Sequence, residues 1–185
     1  MPSPPRIWFA GTSLPLGQIG SGQRTLLTSV LIDEGFLYLA FILDAYSRRL
    51  VGWAMESHLR TELVVDALQM AVWRRKPAPG LIHHSDQGVQ YTSVSFAKRL
   101  EKVGIVPSSM GRVGSALDNA ISESFVATLK SELVSRVRFP SRQAAKTAIF
   151  EYLEAFYNTR RLHSSLGYRS PADFEEDRMR ETSAA

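Results

Sequence analysis

Eight consecutive residues, Phe36 to Leu43 (FLYLAFIL), carry no charge and no turn-former. The run is the length of a strand and far too short to cross a membrane. A strand apolar at every position, rather than at every second one, must be covered on both faces. That requirement alone forces a layered architecture with something packed above and below a sheet. The polar stretch Asp44-Ala45-Tyr46-Ser47-Arg48-Arg49 then reads as a turn, and Leu50 to Met55 (LVGWAM) resumes as a second strand, so the two are expected to pair as a hairpin.

The remaining pattern supplies the covering layers. Leu63, Val64, Ala67, Leu68, Ala71 and Val72 recur at helical spacing behind Thr61, the expected N-cap. Arg74, Arg75 and Lys76 load the end where a helix dipole favours positive charge, and Pro77 and Pro79 stop the helix. Leu81 to His84 is a short strand. Ser93 or Ser95 opens a helix carrying Phe96, Leu100 and Val103, closed by Gly104. Ile105-Val106-Pro107 suits an edge strand, because Pro107 has no N–H for a ladder. Residues 108–117 read as a loop, Asp118 as the cap of the next helix, and Ser141 as the cap of a last long helix with Ala145, Ile149, Tyr152 and Phe156 on one stripe. Residues 1–35, rich in Pro and Gly, read as loop with room for one short strand. The end from Asp173 reads as a charged, frayed tail. The order of strands and helices indicates an α/β fold, a mixed sheet flanked by helices with a helical extension at the C-terminal end.

Two acidic residues stand out as a candidate site. Asp86 follows the strand ending in His84, and Glu123 falls on the helix after Asp118. A strand-end carboxylate facing one on a helix suits Mg²⁺, which takes a few carboxylate oxygens together with waters and phosphates. At 100° per residue, Asn119, Glu123, Ala127 and Lys130 share one arc of their helix, while Ile121, Phe125, Leu129 and Leu133 occupy the other. Burying the apolar arc aims Glu123 and Lys130 outward together. Lys130 is then a phosphate contact or an ordinary surface lysine. Tyr91 is either a stacking platform for a base or a half-buried structural residue. The basic pair Arg160 and Arg161 suits DNA and a helix C-terminus equally. His84 shares strand parity with Asp86, whereas His83 faces the opposite layer. No further His or Cys stands at zinc-ligand spacing. No G-x-S-x-G elbow and no phosphate-binding Walker loop occurs.

Composition sets the outer bounds. A length of 185 residues gives one domain with a sizeable core. The formal charge of +4 permits a polyanionic partner. Cysteine is absent, which excludes disulfides and thiolate metal sites. No apolar run of membrane-spanning length and no signal sequence is present, so no membrane partner and a cytoplasmic location are expected.

Four stretches in order carry a family resemblance: YLAFILDAYSRRLVGWAM (38–55), LIHHSDQGVQYTS (81–93), DNAISESFVATLKSEL (118–133) and FYNTRRLHSSLGYRSPADFE (156–175). Together they resemble the integrase catalytic core of bacterial insertion-sequence transposases, in the subgroup nearest the retroviral integrases. The resemblance spans residues 33–175, leaving 1–32 as an atypical N-terminal segment and 176–185 as a charged tail. It implies a ribonuclease-H-like fold and an Asp-Asp-Glu triad holding two Mg²⁺ or Mn²⁺ ions. It also implies cleavage and strand transfer at transposon ends into target DNA, by a homo-oligomer assembled on DNA at the bacterial nucleoid. Asp86 matches the second Asp and Glu123 the Glu, as catalytic and metal-binding residues. Lys130, Arg160, Arg161, Tyr91 and Asn119 are the DNA-contact candidates. The residues between Asp86 and Glu123 number one more than is usual in the family.

The first Asp is the departure. Trp8-Phe9-Ala10-Gly11-Thr12-Ser13-Leu14 echoes the segment that carries it, with Gly11 in its place. Counting back from Glu34 lands instead at Leu26. Neither register supplies a carboxylate, so residues 11–32 read as an insertion or a shifted reading frame. Asp44 is a tempting substitute, but its LDAYSRR motif corresponds to a position outside the triad and favours turn capping. The helix-turn-helix region that usually precedes such a core is also missing from the sequence. The expectation is a truncated, catalytically impaired core. The alternative is a non-catalytic DNA-binding remnant or assembly partner.

Overall fold

In a computed structural model, the described residues are 7–9, 12–14, 22–85, 94–107 and 115–184. In chain order the strands are β1 (Ile7–Phe9), β2 (Thr12–Leu14), β3 (Gly22–Ile32), β4 (Gly35–Asp44), β5 (Leu50–Glu56), β6 (Ile82–Ser85) and β7 (Val106–Pro107). The helices are α1 (Thr61–Arg75), α2 (Val94–Lys102), α3 (Ser115–Leu129), α4 (Arg142–Glu151) and α5 (Pro171–Ser183). α3 and α4 each run on into a wider π-type turn, Lys130–Val134 and Tyr152–Tyr157. β1 and β2 pair antiparallel with each other. The main sheet has the order β5-β4-β3-β6-β7. Its first three strands are antiparallel, and β6 and β7 run parallel to β3.

β4 is the strand on which both layers rest. Leu37, Leu39, Phe41 and Leu43 on one face are buried with Phe125 and Leu129 of α3 and Ala145 and Ile149 of α4. Ala40 and Ile42 on the other face are buried with Leu63, Val64, Ala67, Leu68 and Ala71 of α1 and Phe96 and Leu100 of α2. Each large apolar side chain so enclosed contributes about 1.5–3 kcal/mol. The two-sided apolar pattern of FLYLAFIL therefore has its covering from Leu39 to Leu43, while Phe36 at the strand's start is exposed. Gly52 of β5 lets α1 approach closely: a Cβ there would lie 2.8 Å from the Ala71 Cβ and still closer to the Ala67 carbonyl oxygen.

Several expectations from the sequence are corrected. Residues 22–32 are not loop but the eleven-residue strand β3, lying between β4 and β6. Ten residues of β3 pair with β4, from Gln23↔Asp44 to Ile32↔Gly35. That continuous ladder is a long-range constraint, which the turn-formers of the preceding stretch, Pro15, Gly17 and Gly20, conceal. Thr61 is the first helical residue of α1 rather than its cap, because the Leu63 N–H bonds the Arg60 carbonyl at 3.1 Å and makes Arg60 the cap. α3 begins at Ser115, so Asp118 lies in its first turn, where a negative charge complements the dipole. Ser141 does cap α4, its hydroxyl accepting from the Ala144 N–H at 3.2 Å. Phe156, however, leaves the buried stripe and is exposed, while Leu153 and Tyr157 are buried. The π turn explains this, since its bonds span five residues, as from the Asn158 N–H to the Leu153 carbonyl, and shift the apolar face by one position.

The expected frayed tail is instead the body of α5, capped by Ser170, with Phe174 and Glu175 buried. Glu175 is the anchor. Arg75 grips its carboxylate from the end of α1, Nη1 to Oε2 at 3.2 Å and Nη2 to Oε1, and Arg49 Nη1 reaches Oε2 at 2.6 Å. Asn158 adds a second tie. Its side-chain amide accepts from the Leu50 N–H at 2.9 Å and donates to the Leu50 carbonyl at 3.0 Å, acting as a strand partner at the start of β5. Replacing Glu175 by Ala leaves the buried Arg75 guanidinium without its carboxylate, and we expect a loss of about 3–5 kcal/mol. Chemical denaturation measures this directly, and Glu175→Gln, which keeps the shape and part of the hydrogen bonding, should lose less.

Candidate active site

α3 delivers Glu123. Its inner side is fixed by Phe125, whose ring lies 4.5 Å from Phe41 of β4 and 5.0 Å from Tyr157, and by the fully buried Leu129. With that side held, Glu123, Ser124, Ala127 and Lys130 are exposed. The expected outward face, with a carboxylate and an ammonium seven residues apart and a small residue between, is therefore present. Asn119 belongs to the same helix. Asp86 and Tyr91 lie outside the described residues, as do Gln87 and Gly88.

The sheet decides which acids can meet Glu123. On β4, odd-numbered residues face α3 and even-numbered ones face α1 and α2. Asp44 belongs to the even set and lies against α1, with Oδ2 3.9 Å from Arg75. It caps the β4–β5 turn, Oδ1 accepting from the N–H groups of Tyr46 at 2.9 Å and Ser47 at 3.1 Å. The capping role expected for Asp44 is borne out. Burial raises its carboxyl above the usual range, with Glu175 adding to the rise and Arg75 and the turn N–H groups opposing it. Asp33 and Glu34, in the β3–β4 turn, are engaged by Arg138 and Arg142. None of these three acids is placed to complete a site with Glu123.

β3 is the neighbour of β6, the strand that leads into Asp86. The parallel ladder ends at Thr25↔Ser85, so the next positions along the two strands are Leu26 and Asp86 in the sequence. Val30 and Ile32, further along β3, are packed in the α3-side core. Of the two registers for the missing carboxylate, the one at Leu26 thus lies on a central strand next to β6. Among the described residues, Glu123 offers one hard oxygen ligand on this side, and no group of three or more His, Asp or Glu side chains forms a metal cluster. His83 is buried on the opposite side of the sheet, its ring 5.5 Å from Phe96 of α2, as its strand parity implied.

The basic pair divides. Arg160 is exposed. Arg161 is held by Glu132 of the first π turn, with Nε 3.0 Å from both carboxylate oxygens and Nη2 2.9 Å from Oε1. Tyr152 donates its hydroxyl to the same carboxylate at 2.7 Å. Burial alone would raise Glu132, but the hydrogen bonds from Arg161 and Tyr152 outweigh it and hold the carboxyl below its usual range. Arg161 therefore fastens the chain after α4 to the end of α3. Sequence reasoning missed Glu132, Glu175 and Asn158. The only local signal was their place within the SEL, FYN and DFE stretches, because their partners lie 20 to 126 residues away.

The mixed sheet, the helical layers on both faces and the strand order define a ribonuclease-H-like domain of the type found in integrases and transposases. The integrase core domain pattern matches residues 23–116, and a second integrase core domain pattern matches residues 106–171. The chain belongs to the integrase core domain family. It is 47% identical over 150 residues to the transposase for insertion sequence element IS904 of Lactococcus lactis, covering 81% of this chain and 59% of the relative. It is 40% identical over 153 residues to transposase InsF for insertion sequence IS3A of Escherichia coli, covering 83% of this chain and 53% of that protein. The chain thus spans little more than half the length of the relatives it matches. Among solved structures it resembles the catalytic core domain of HTLV-2 integrase in complex with magnesium, with a TM-score of 0.55 at 12% identity, covering 83% of this chain and 95% of that one. It also resembles the Mos1 transposase catalytic domain with manganese, with a TM-score of 0.57 at 14% identity, covering 72% of this chain and 70% of that one.

His163 yields a pH prediction. Its ring stands edge-on to Tyr157 at 5.1 Å, and burial, aided by Arg161 and Arg48, pushes its imidazole down to about 4. Between about 6.5 and about 4 the unfolded chain takes up a proton that the folded one refuses, so stability falls as pH drops through that window and stops falling below it on this account. The ring is half exposed, so screening limits the effect to about 1 kcal/mol. Thermal denaturation across pH 4–7 should show a shallower decline in His163→Gln than in the parent.

Proposed function

We propose that the chain is the catalytic core of a DNA transposase of insertion-sequence type, and that its active site lacks the first carboxylate. The observation that carries this is the exposed α3 face bearing Glu123 and Lys130 within a core 47% identical to a transposase over most of this chain. In this reading Asp86 and Glu123 hold Mg²⁺ or Mn²⁺, which when bound supplies Lewis-acid activation of the attacking oxygen and charge neutralisation at phosphorus. Lys130 and Arg160, with Asn119 and Tyr91, bind and orient the DNA backbone near the scissile phosphate. Arg161 acts indirectly by fixing the end of α3. The core acts as a homo-oligomer on transposon ends and target DNA in the bacterial cytoplasm, and its working unit runs from β3 through α5.

Leu26 is the weak point. A two-ion site needs carboxylates close enough to offset the repulsion between the ions, and Asp86 with Glu123 leaves that shell incomplete. This favours a second reading for the chain as it stands, a DNA-binding assembly partner with little strand-transfer activity of its own.

Two measurements test these readings. DNA binding should be tolerant of sequence and sensitive to salt: three phosphate contacts weaken binding about 40-fold between 50 and 200 mM salt. An affinity flat across that range removes the DNA reading, and Lys130→Ala should reduce the salt slope by about one. Leu26→Asp should strengthen Mn²⁺ binding, followed by calorimetry, and raise strand transfer on transposon-end DNA by at least tenfold. Robust strand transfer by the unmodified chain would show that its active site is not deficient.

A further inference from the structure

One face of α3 away from Glu123 lies a cavity of about 560 Å³ that the proposed reaction does not use. It opens between α3, the β4–β5 turn and the chain from Tyr157 to Tyr168. Leu43 and Phe125 give it an apolar floor, and Ser124 and Thr128 of α3 add hydroxyls. Arg48 stands in its wall, half buried. Among the described residues the Arg48 guanidinium makes no hydrogen bond or ion pair, in contrast to Arg161 across the cavity, which Glu132 neutralises. His163 Nε2, buried in the same wall, also lacks a hydrogen-bond partner. Burial lowers the proton affinity of Arg48, so an anion reaching it would relieve a desolvated charge.

The backbone points to the same place. Among the described residues, three non-glycine residues adopt left-handed backbone angles: Lys76, at the end of α1, and Arg48 and Tyr168, with φ of +60° and +58°. The last two both line this cavity. Such strain persists where the surroundings fix it, and it gathers at ligand sites. Tyr168 is 72% exposed, an aromatic face held at the cavity mouth with little of it covered. One phosphate would leave most of the volume empty. A planar ring on an apolar floor, an aromatic face at the rim and a free guanidinium together fit a nucleotide.

We propose that this cavity binds one unpaired nucleotide, its phosphate on Arg48 and its base between Tyr168 and the apolar floor. This rests on the DNA reading above and deepens it: a base can enter only out of the stack, so the site selects DNA with an unpaired or flipped nucleotide beside the reacting end. The same chemistry could come from a free mononucleotide, and the experiment separates the two sources.

The test uses the full chain. Fluorescence anisotropy compares a blunt duplex with the same duplex carrying two unpaired nucleotides, and saturation-transfer NMR follows binding of dTMP. We expect the overhang to bind about tenfold tighter than the blunt duplex and dTMP to bind detectably. Arg48→Gln should abolish both effects while keeping blunt-duplex affinity, and Arg48→Lys should restore part of them. Tyr168→Gly, which suits the left-handed backbone, should lose the overhang preference without unfolding, as checked by circular dichroism. Failure to bind dTMP overturns the cavity site, whatever the duplex does, and so does an overhang preference unchanged in Arg48→Gln and Tyr168→Gly. Binding of dTMP that depends on Arg48, without binding of any duplex, supports the cavity and overturns the broader DNA reading instead.

Discussion

The burial of β4 on both faces is the constraint from which the rest follows. A strand with no polar face cannot lie at the surface, so helices must cover both sides, and the alternation of side chains along β4 sorts the molecule into two cores. The α3 side holds Phe41, Phe125 and Leu129, and the α1 side holds Ile42, Leu68 and Phe96. This partition also rules on chemistry. Asp44 and Glu123 sit on opposite sides of a closed hydrophobic layer, so no rotamer change brings their carboxylates together. Among the described strands, Asp44 is thereby excluded as a carboxylate partner for Glu123.

The chain after α4 is held by polar ties as well as by buried apolar side chains such as Leu153, Leu166 and Phe174. Glu175 gathers Arg75 and Arg49, Asn158 pairs with Leu50 as an added strand residue would, and Glu132 gathers Arg161 and Tyr152. Each tie joins a late residue to an element formed earlier in the sequence. The buried pair Arg75–Glu175 is costly to remove from water, and its value lies in the damage done when one partner is lost. The ties fix the segment from Tyr157 to Tyr168 against α3. The cavity beside Glu123 exists because that segment is held there without closing on the helix.

The α3 face shows how stability and function share one helix. Phe125 and Leu129 set its rotation, and everything that faces solvent follows from that rotation. Ser124 and Thr128 then point to the cavity side while Glu123 and Lys130 stand on the neighbouring face. The π turn at Lys130–Val134 ends this regular phase and turns Glu132 toward Arg161, away from the face that a strictly 3.6-residue period would continue.

The order of the elements from Phe36 to Ile149, the outward aim of Glu123 and the capping by Asp44 and Ser141 were all readable from local pattern, because periodicity, caps and turn residues act over a few positions. Three features came only with the tertiary structure. β3 carries strand formers in Thr25, Thr28, Val30 and Ile32, but they follow a stretch rich in Pro and Gly, and its place in the sheet came only with the ladders that β4 and β6 offer it on each edge. α5 looked like a polar tail until Glu175 met Arg75, a pairing across 100 residues. Phe156 left its stripe because hydrogen bonds in the π turn span one residue more than the helical period assumes. Local physics set which segments were strands and helices, and long-range pairing decided which carboxylates share a face, since only packing fixes how distant segments stand to one another.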